Sequence, residues 1–375
     1  MKYRLSAPLV ALFLLGIGPA LAAEQADFGT VDISPPEDAL TLARVLHEGG
    51  PRLISVTSYE QGTITGRVLD VLTDDPITAF QTLGFQGLAD LVAEPGAALQ
   101  VPASDLLIPV ALGNSYIAAG TNFSEHAAES TVEDGPFLFP KAVQPTGPYS
   151  NVPAGDGLLD FEVELCFVGF DPIQLDRLPA HVGLFLCNDY TDRAKLMRHI
   201  DPFDVTSGNG FTTGKSAPGF MPIGNLFVIP RDHATFVPSV ALSLYLNGEL
   251  RQHAFQSQAI WDLEETLEQV ALRQDVTWEY NGTDVSLSLV ENTIPVRTAI
   301  LGGTPSGTLF QGLSFSQQVS GTLQWLAGGW DKPFAYWIIE IYIADAQEAE
   351  AFLQPGDAVT IHVDRLGVIA NKIVE

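Results

Sequence analysis

Along most of the chain, apolar and polar positions fall into short runs of the kind that build strands. Segments 161–168, 181–187, 241–246, 337–343 and 358–363 are rich in β-branched, aromatic and leucine residues, and each predicts a strand. Asn247-Gly248 separates two such runs and predicts a two-residue hairpin turn, because both positions tolerate positive φ. Nearer the N-terminus, 52–56 and 63–68 predict strands around a Gln61-Gly62 turn. Helical spacing occurs in three further places. Pro36, followed by Glu37 and Asp38, opens a predicted helix with Leu42, Val45 and Leu46 on one side. Ile77, Phe80, Leu83, Leu88, Leu91 and Val92 predict another, weakened by Gly84 and Gly87. Ile260, Leu263, Leu267 and Val270 predict a third with a single buried face. The pattern as a whole predicts an α+β, strand-dominated fold.

Composition narrows the possibilities. With 46% hydrophobic and 17% charged residues the chain can bury a core, so its acidity is not that of a disordered tail. The 34 glycines and 25 prolines suit many short strands and turns. A net charge of −27 excludes nucleic acid and anionic membrane surfaces as main partners, since both demand a basic patch. Lys2 and Arg4, an apolar run over 7–17, Pro19 and Ala20-Leu21-Ala22 have the layout of a cleaved export signal. Residues 1–22 are therefore expected to be a signal peptide, and the product periplasmic or secreted, with no membrane span after cleavage. Beyond it, 24–107 read as a small mixed N-terminal domain and 108–375 as a strand-rich domain. Within the latter, 308–352 carry Trp325, Trp330 and Trp337 and look like an insertion.

Candidate chemistry sits in three places. Asp160-Phe161-Glu162-Val163-Glu164 alternates, so on a strand Glu162 and Glu164 point the same way, with Cα atoms roughly 7 Å apart. Two such carboxylates can converge on a hard cation, although acidic alternation alone also describes a solvated strand face. Asp189 ends the apolar run 181–187, where an acid either starts a turn or serves as a ligand. His126 and Glu129, three apart in a helix-like segment, can form a dyad whose carboxylate orients the imidazole and raises its basicity. An exposed ion pair has the same spacing.

Taken in order, these signals form a series: His126-x-x-Glu129, Phe137-Leu138-Phe139-Pro140-Lys141, Asp160-x-Glu162-x-Glu164-Leu165, Asn188-Asp189, Gly214-Lys215-Ser216, Asn247-Gly248-Glu249, Gly303-Thr304-Pro305-Ser306-Gly307 and Leu353-Gln354-Pro355-Gly356-Asp357. The series resembles the fumarylacetoacetate hydrolase family over about two thirds of the chain. The resemblance implies a mixed β-roll, a homodimer and one divalent cation per site, with Mg²⁺ ahead of Mn²⁺ or Ca²⁺. It places Glu162, Glu164 and Asp189 as metal ligands and His126, Glu129 and Lys215 as the catalytic groups. Arg193, Thr304 and Lys141 fall where members meet substrate. Phe123, Ala194 and Leu196 stand where members usually carry tyrosine, aspartate and glutamine.

The expected function is then that of an exported, metal-dependent hydrolase or decarboxylase cleaving carbon–carbon bonds of small 2-oxo or 1,3-dioxo acids. Alternatives are a hydratase or isomerase of unsaturated 2-oxo acids, or a non-catalytic metal- or ligand-binding protein on the same scaffold. Cys166 lies two past Glu164 and Cys187 two before Asp189, on the ligand-bearing faces of their strands. They form either a disulfide beside the site or two buried thiols.

Overall fold

A computed structural model describes residues 28–130 and 135–375; the expected export signal, 1–22, lies outside the described residues. Fifteen strands position the site. They are β1 Ala39–His47, β2 Gly50–Glu60, β3 Thr63–Val68, β4 Leu99–Pro102, β5 Tyr116–Gly120, β6 Phe137–Lys141, β7 Val152–Pro153 and β8 Val163–Gly169. There follow β9 Val182–Asn188, β10 Phe227–Pro230, β11 Ala241–Leu246, β12 Glu249–Phe255, β13 Ile300–Leu301, β14 Ala358–Val363 and β15 Gly367–Val374. The main sheet has ten strands in the order β4-β3-β2-β1-β10-β9-β8-β13-β5-β6, and a second has the order β12-β11-β14-β15-β7. Most pairings are antiparallel, while β13 with β5 and β15 with β7 are parallel, which makes the roll mixed. The four N-terminal strands continue the main sheet through the antiparallel pairing of β1 with β10.

Strand alternation decides which residues meet which layer. Val163, Leu165 and Phe167 of β8, with Val182, Leu184 and Leu186 of β9, turn toward the second sheet and join its Leu244, Val359 and Ile361 in one core. Cys166 and Val168, with Phe185 and Cys187, turn to the opposite face. That face is covered by α1 Pro76–Ala93, α3 Arg193–His199, α4 Phe211–Lys215 and α7 Phe334–Glu348. Burying each of these large apolar side chains is worth about 1.5–3 kcal/mol, so both faces of β8 and β9 are strongly held in register. Glu162 and Glu164 belong to the helix-covered face. The hairpin turn forms as predicted, with Asn247 at φ 53° and Gly248 at φ 84° between β11 and β12. The helix predicted near residue 263 is α5 Leu263–Leu272, capped by Asp262. The one over 77–92 is α1, broken at Gly84 by a non-helical backbone.

Two expected elements are corrected. Residues 39–47 form β1 rather than a helix, because the segment lies between β2 and β10 and is covered on both faces, with Leu40 and Leu42 on one side and Ala43 and Val45 on the other. A strand buried on both faces shows no alternation, and its apolar run imitates helical spacing. Residues 337–343 lie within helix α7 rather than a strand. Their aromatic and β-branched content suggested β structure, but Ile338, Ile339, Tyr342, Ile343 and Ala346 form a helical stripe packed on α3 and on α6 Phe315–Leu326. No helix among the described residues is long and apolar enough to cross a membrane.

Candidate metal centre and dyad

The start of β8, with the residue that leads into it, and the turn after β9 bring three carboxyls together. Glu162, Glu164 and Asp189 are all buried, and each offers an oxygen within 4.8 Å of the other two. The pairing of β8 with β9 sets this up, since Cys187 lies opposite Glu164 and Asn188 opposite Val163. Asn188 then accepts the Glu162 N–H on its side-chain oxygen at 3.0 Å, while Asp189 N–H donates to the Glu162 carbonyl at 2.9 Å. The turn is tied to the segment that carries the other two acids, Glu162 leading into β8 and Glu164 within it.

Three buried cations surround the carboxyls. Lys215, at the end of α4, places Nζ 2.7 Å from Glu162 Oε2 and 2.8 Å from Asp189 Oδ2. Lys141 Nζ donates to Asp189 Oδ1 and, at 2.6 Å, to the Lys215 carbonyl. Arg193, at the start of α3, donates from Nε to Asp160 Oδ2 at 2.9 Å and from a terminal nitrogen to Glu162 Oε1 at 2.7 Å. Burial works to raise the Glu162 pKa, but Lys215 and Arg193 outweigh it and hold the carboxyl well below its ordinary value. Glu164 goes the other way: burial, reinforced by Asp189 and Glu162, pushes it well above the ordinary range. Burial also disfavours the Lys215 ammonium, yet Asp189 and Glu162 prevail and the side chain keeps its proton more firmly than a free lysine. Lys141 is shifted down, chiefly by burial.

The donor set fits a hard divalent cation. All three candidate ligands offer carboxylate oxygens, and among the described residues no lysine or arginine ion-pairs with Glu164. An ionised Glu164 thus lacks the counter-charge that such a cation would provide.

The dyad approaches from α2 Ser124–Glu129. His126 Nδ1 lies 3.5 Å from Glu129 Oε2, and Glu129 also accepts from Gly307 N–H and Gln311 Nε2 at 3.0 Å. Burial raises the Glu129 pKa, but these partners prevail and hold it below the ordinary value, so it stays a carboxylate. A carboxylate at this position favours the imidazole proton on Nδ1, with Nε2 as the basic nitrogen. His126, Glu162, Arg193, Lys215 and Thr304 line one cavity of about 430 Å³. Thr304 is held by Gln252, whose Nε2 donates to its Oγ1 at 2.9 Å and whose Oε1 accepts from Val163 N–H at 3.1 Å. Lys141 is fully buried behind Asp189 and is not part of the cavity wall.

Sequence reasoning did not assign a site role to Asp160 or Gln252. Asp160 holds Arg193 and accepts the N–H groups of Leu309 and Phe310 at 2.9 and 3.2 Å, which anchors the start of the 308–352 segment. Its place in the alternating acidic motif was the available signal. Gln252 gave none, being one polar residue among several on a half-exposed strand. Cys166 and Cys187 are joined in a disulfide, with Cα atoms 6.1 Å apart, on the ligand-bearing face.

Relatives carry the same architecture. The chain is 27% identical over 345 residues to the human protein named "Oxaloacetate tautomerase FAHD2B, mitochondrial", covering 88% of this chain and 90% of that one. It is 29% identical over 278 residues to an uncharacterized protein of Staphylococcus epidermidis, covering 72% and 71%. Among solved structures, the fumarylacetoacetate hydrolase of Exiguobacterium antarcticum superposes with a TM-score of 0.58 at 21% identity, over 89% of this chain and 99% of that one. The 2-hydroxyhepta-2,4-diene-1,7-dioate isomerase of Mycobacterium marinum gives 0.52 at 18% identity, over 89% and 98%. These two likenesses bear on the fold. From β5 to the end of β15, over residues 115–374, the sequence matches the fumarylacetoacetate (FAA) hydrolase C-terminal family model, and the chain belongs to the fumarylacetoacetate hydrolase family.

Proposed function

We propose that the protein is a divalent-metal-dependent enzyme that cleaves carbon–carbon bonds of 2-oxo or 1,3-dioxo acids by hydrolysis or decarboxylation. The observation that carries this reading is that His126 of the dyad, a firmly protonated lysine and Glu162 of the acidic cluster line the same cavity. Glu162, Glu164 and Asp189 would hold the cation, which when bound supplies Lewis acidity to adjacent substrate oxygens and steadies the charge that develops on them.

The chain's own residues do the rest. Four buried carboxyls, Asp160, Glu162, Glu164 and Asp189, face three buried cations, Lys141, Arg193 and Lys215. With Glu164 ionised and a divalent cation held, four negative charges would face five positive ones, an excess that a single substrate carboxylate balances. Lys215, protonated and at the cavity wall, is placed to donate a hydrogen bond to an oxygen as it gains negative charge. In hydrolysis His126 Nε2 takes a proton from water, whose oxygen attacks the distal carbonyl. The carbon–carbon bond then breaks with its electron pair on the enolate fragment, and His126 returns the proton. The 3.5 Å His126–Glu129 separation is long, as catalytic hydrogen bonds often are before substrate is bound.

A second reading, keto–enol tautomerisation of a 2-oxo acid, is favoured by the name of the human relative. It uses the same proton acceptor and the same enolate stabilisation, with no water consumed. Incubation of acylpyruvates and 2-oxo acids with Mg²⁺ or Mn²⁺ in D₂O, followed by NMR, separates the two. Cleavage yields two fragments, whereas tautomerisation keeps the skeleton and exchanges hydrogens beside the oxo group. His126→Ala should remove turnover by about 10²–10⁴-fold while leaving cation binding intact. Turnover of no member of the panel, with ligand still retained, would instead mark a binding protein. Operation in an oxidising compartment is part of the proposal, and the Cys166–Cys187 disulfide supports it.

A further inference from the structure

The cavity that holds the charged groups is larger and greasier than a small dicarbonyl acid requires. Its volume of about 430 Å³ lies in the range that encloses a drug-sized ligand, roughly 300–1,000 Å³. His126, Glu162, Arg193 and Lys215 occupy one part of its wall. Most of the remainder is apolar, with Leu196, Met197 and Ile200 at α3 and Phe334, Ile338 and Ile339 of α7. Four of these six side chains are buried while Phe334 is exposed, so the arm reaches inward from the protein surface.

The arm is held in place. Arg198 of α3 makes a two-pronged ion pair with Glu340 of α7, at 2.7 and 2.8 Å. Helix α6 closes over α7 at Gly321, where a Cβ would lie 2.8 Å from the Ile338 Cα; only glycine permits that approach. The contact brings Gln318 and Thr322 of α6 to the cavity rim. The Phe310 ring joins the two regions, with the Arg193 guanidinium carbon 5.4 Å from its centroid on one side and Tyr342 edge-on at 5.7 Å on the other. The 308–352 segment therefore supplies one side of the site's apolar half, facing α3.

We propose that the substrate carries a long apolar tail, an alkyl chain or aryl group attached to the 2-oxo or 1,3-dioxo acid head, and that α3 and α7 select for it. The inference rests on the proposed function for the identity of the head alone; the tail follows from the cavity. An apolar arm gains affinity with each methylene it removes from water, about two- to fourfold per group.

Calorimetric or thermal-shift titration of the full chain with Mn²⁺ tests this, using straight-chain 2-oxo acids from pyruvate to 2-oxodecanoate and simple alkyl carboxylates of matching lengths. Affinity for the 2-oxo acids should climb steadily with length. Ile338→Asn and Leu196→Gln should flatten that climb, with circular dichroism melting to verify that each variant folds; the wild-type series decides the matter if either does not. Equal or weaker binding of longer acids overturns the tail and leaves the proposed chemistry standing. Alkyl carboxylates that bind more tightly with length, while no 2-oxo acid exceeds its match, support the tail and overturn the head. Binding by neither series overturns both.

Discussion

Gly303 donates its backbone N–H to Oε2 of Glu164 at 2.7 Å, from a left-handed conformation at φ 85°. A Cβ there would meet the Asn122 Cβ at 2.6 Å, so the turn that reaches Glu164 requires glycine on two counts. Asn122 is itself fixed, its side chain donating to the Gly302 carbonyl at 2.8 Å. Gly303→Ala should therefore pull the donor off the carboxyl. We expect divalent affinity to fall about 10–100-fold, the range typical for loss of a group that orients a metal ligand. Calorimetry with Mg²⁺ and Mn²⁺ checks it; unchanged affinity would mean the turn does not support the ligand.

Cation binding should release a proton. Burial, then Asp189 and Glu162, hold the Glu164 pKa well above its ordinary value in the cation-free protein, whereas a metal ligand must be a carboxylate. The sign follows: affinity weakens as pH falls, because more of the protein carries the proton that the cation must displace. Titrations in two buffers of different ionisation enthalpy should yield about one proton released per cation bound. Glu164→Gln should abolish that release and weaken binding at least tenfold, since it removes a ligand charge.

Acid stability should depend on Asp75. Its Oδ1 caps α1 by accepting Thr78 N–H at 2.9 Å, and its two oxygens accept from Arg297 at 2.8 and 3.0 Å. Burial works to raise its pKa, but Arg297 and Thr78 outweigh it and the folded value lies below the ordinary 3.8. A depressed pKa contributes stability that is complete above the unfolded value and is lost as pH falls through the folded one. Urea midpoints measured against pH should show this acid limb in the wild type and a shallower one in Asp75→Asn. Asp75→Ala, which loses the cap as well, should cost about 1–3 kcal/mol near neutral pH.

How much of this was legible in the sequence depended on how local each signal is. The positions of Glu162 and Glu164 followed from a two-residue period along one segment, Glu162 just before β8 and Glu164 on it, and the His126–Glu129 contact from one turn of helix. Asn247-Gly248 needed only its own backbone preferences. The misread elements are those whose surroundings override local preference. β1 looks helical because neighbours cover both of its faces. The aromatic, β-branched 337–343 segment is helical because its buried stripe packs against α3 and α6. Gln252 holding Thr304 and Asp160 holding Arg193 join residues 52 and 33 positions apart, and no pattern along one segment can carry such pairs.

The Cys166–Cys187 link makes a prediction about both stability and site geometry. In the β8–β9 register, Cys166 lies opposite Phe185 and Cys187 opposite Glu164, so the disulfide runs diagonally across the pair of strands beside the metal ligands. It closes a loop of 21 residues' separation, which by chain entropy alone is worth about 3 kcal/mol. The seven paired positions of β8 and β9 already restrain those strands, so a double Cys166→Ala, Cys187→Ala variant should fold, with a lower melting temperature and a lower affinity for the cation. The chain has 2 cysteines, so alkylation of the denatured protein should add nothing before reduction and two groups after it. Alkylation without reductant, in protein recovered from an oxidising compartment, would show that the thiols are free and would remove the disulfide from the description of the site.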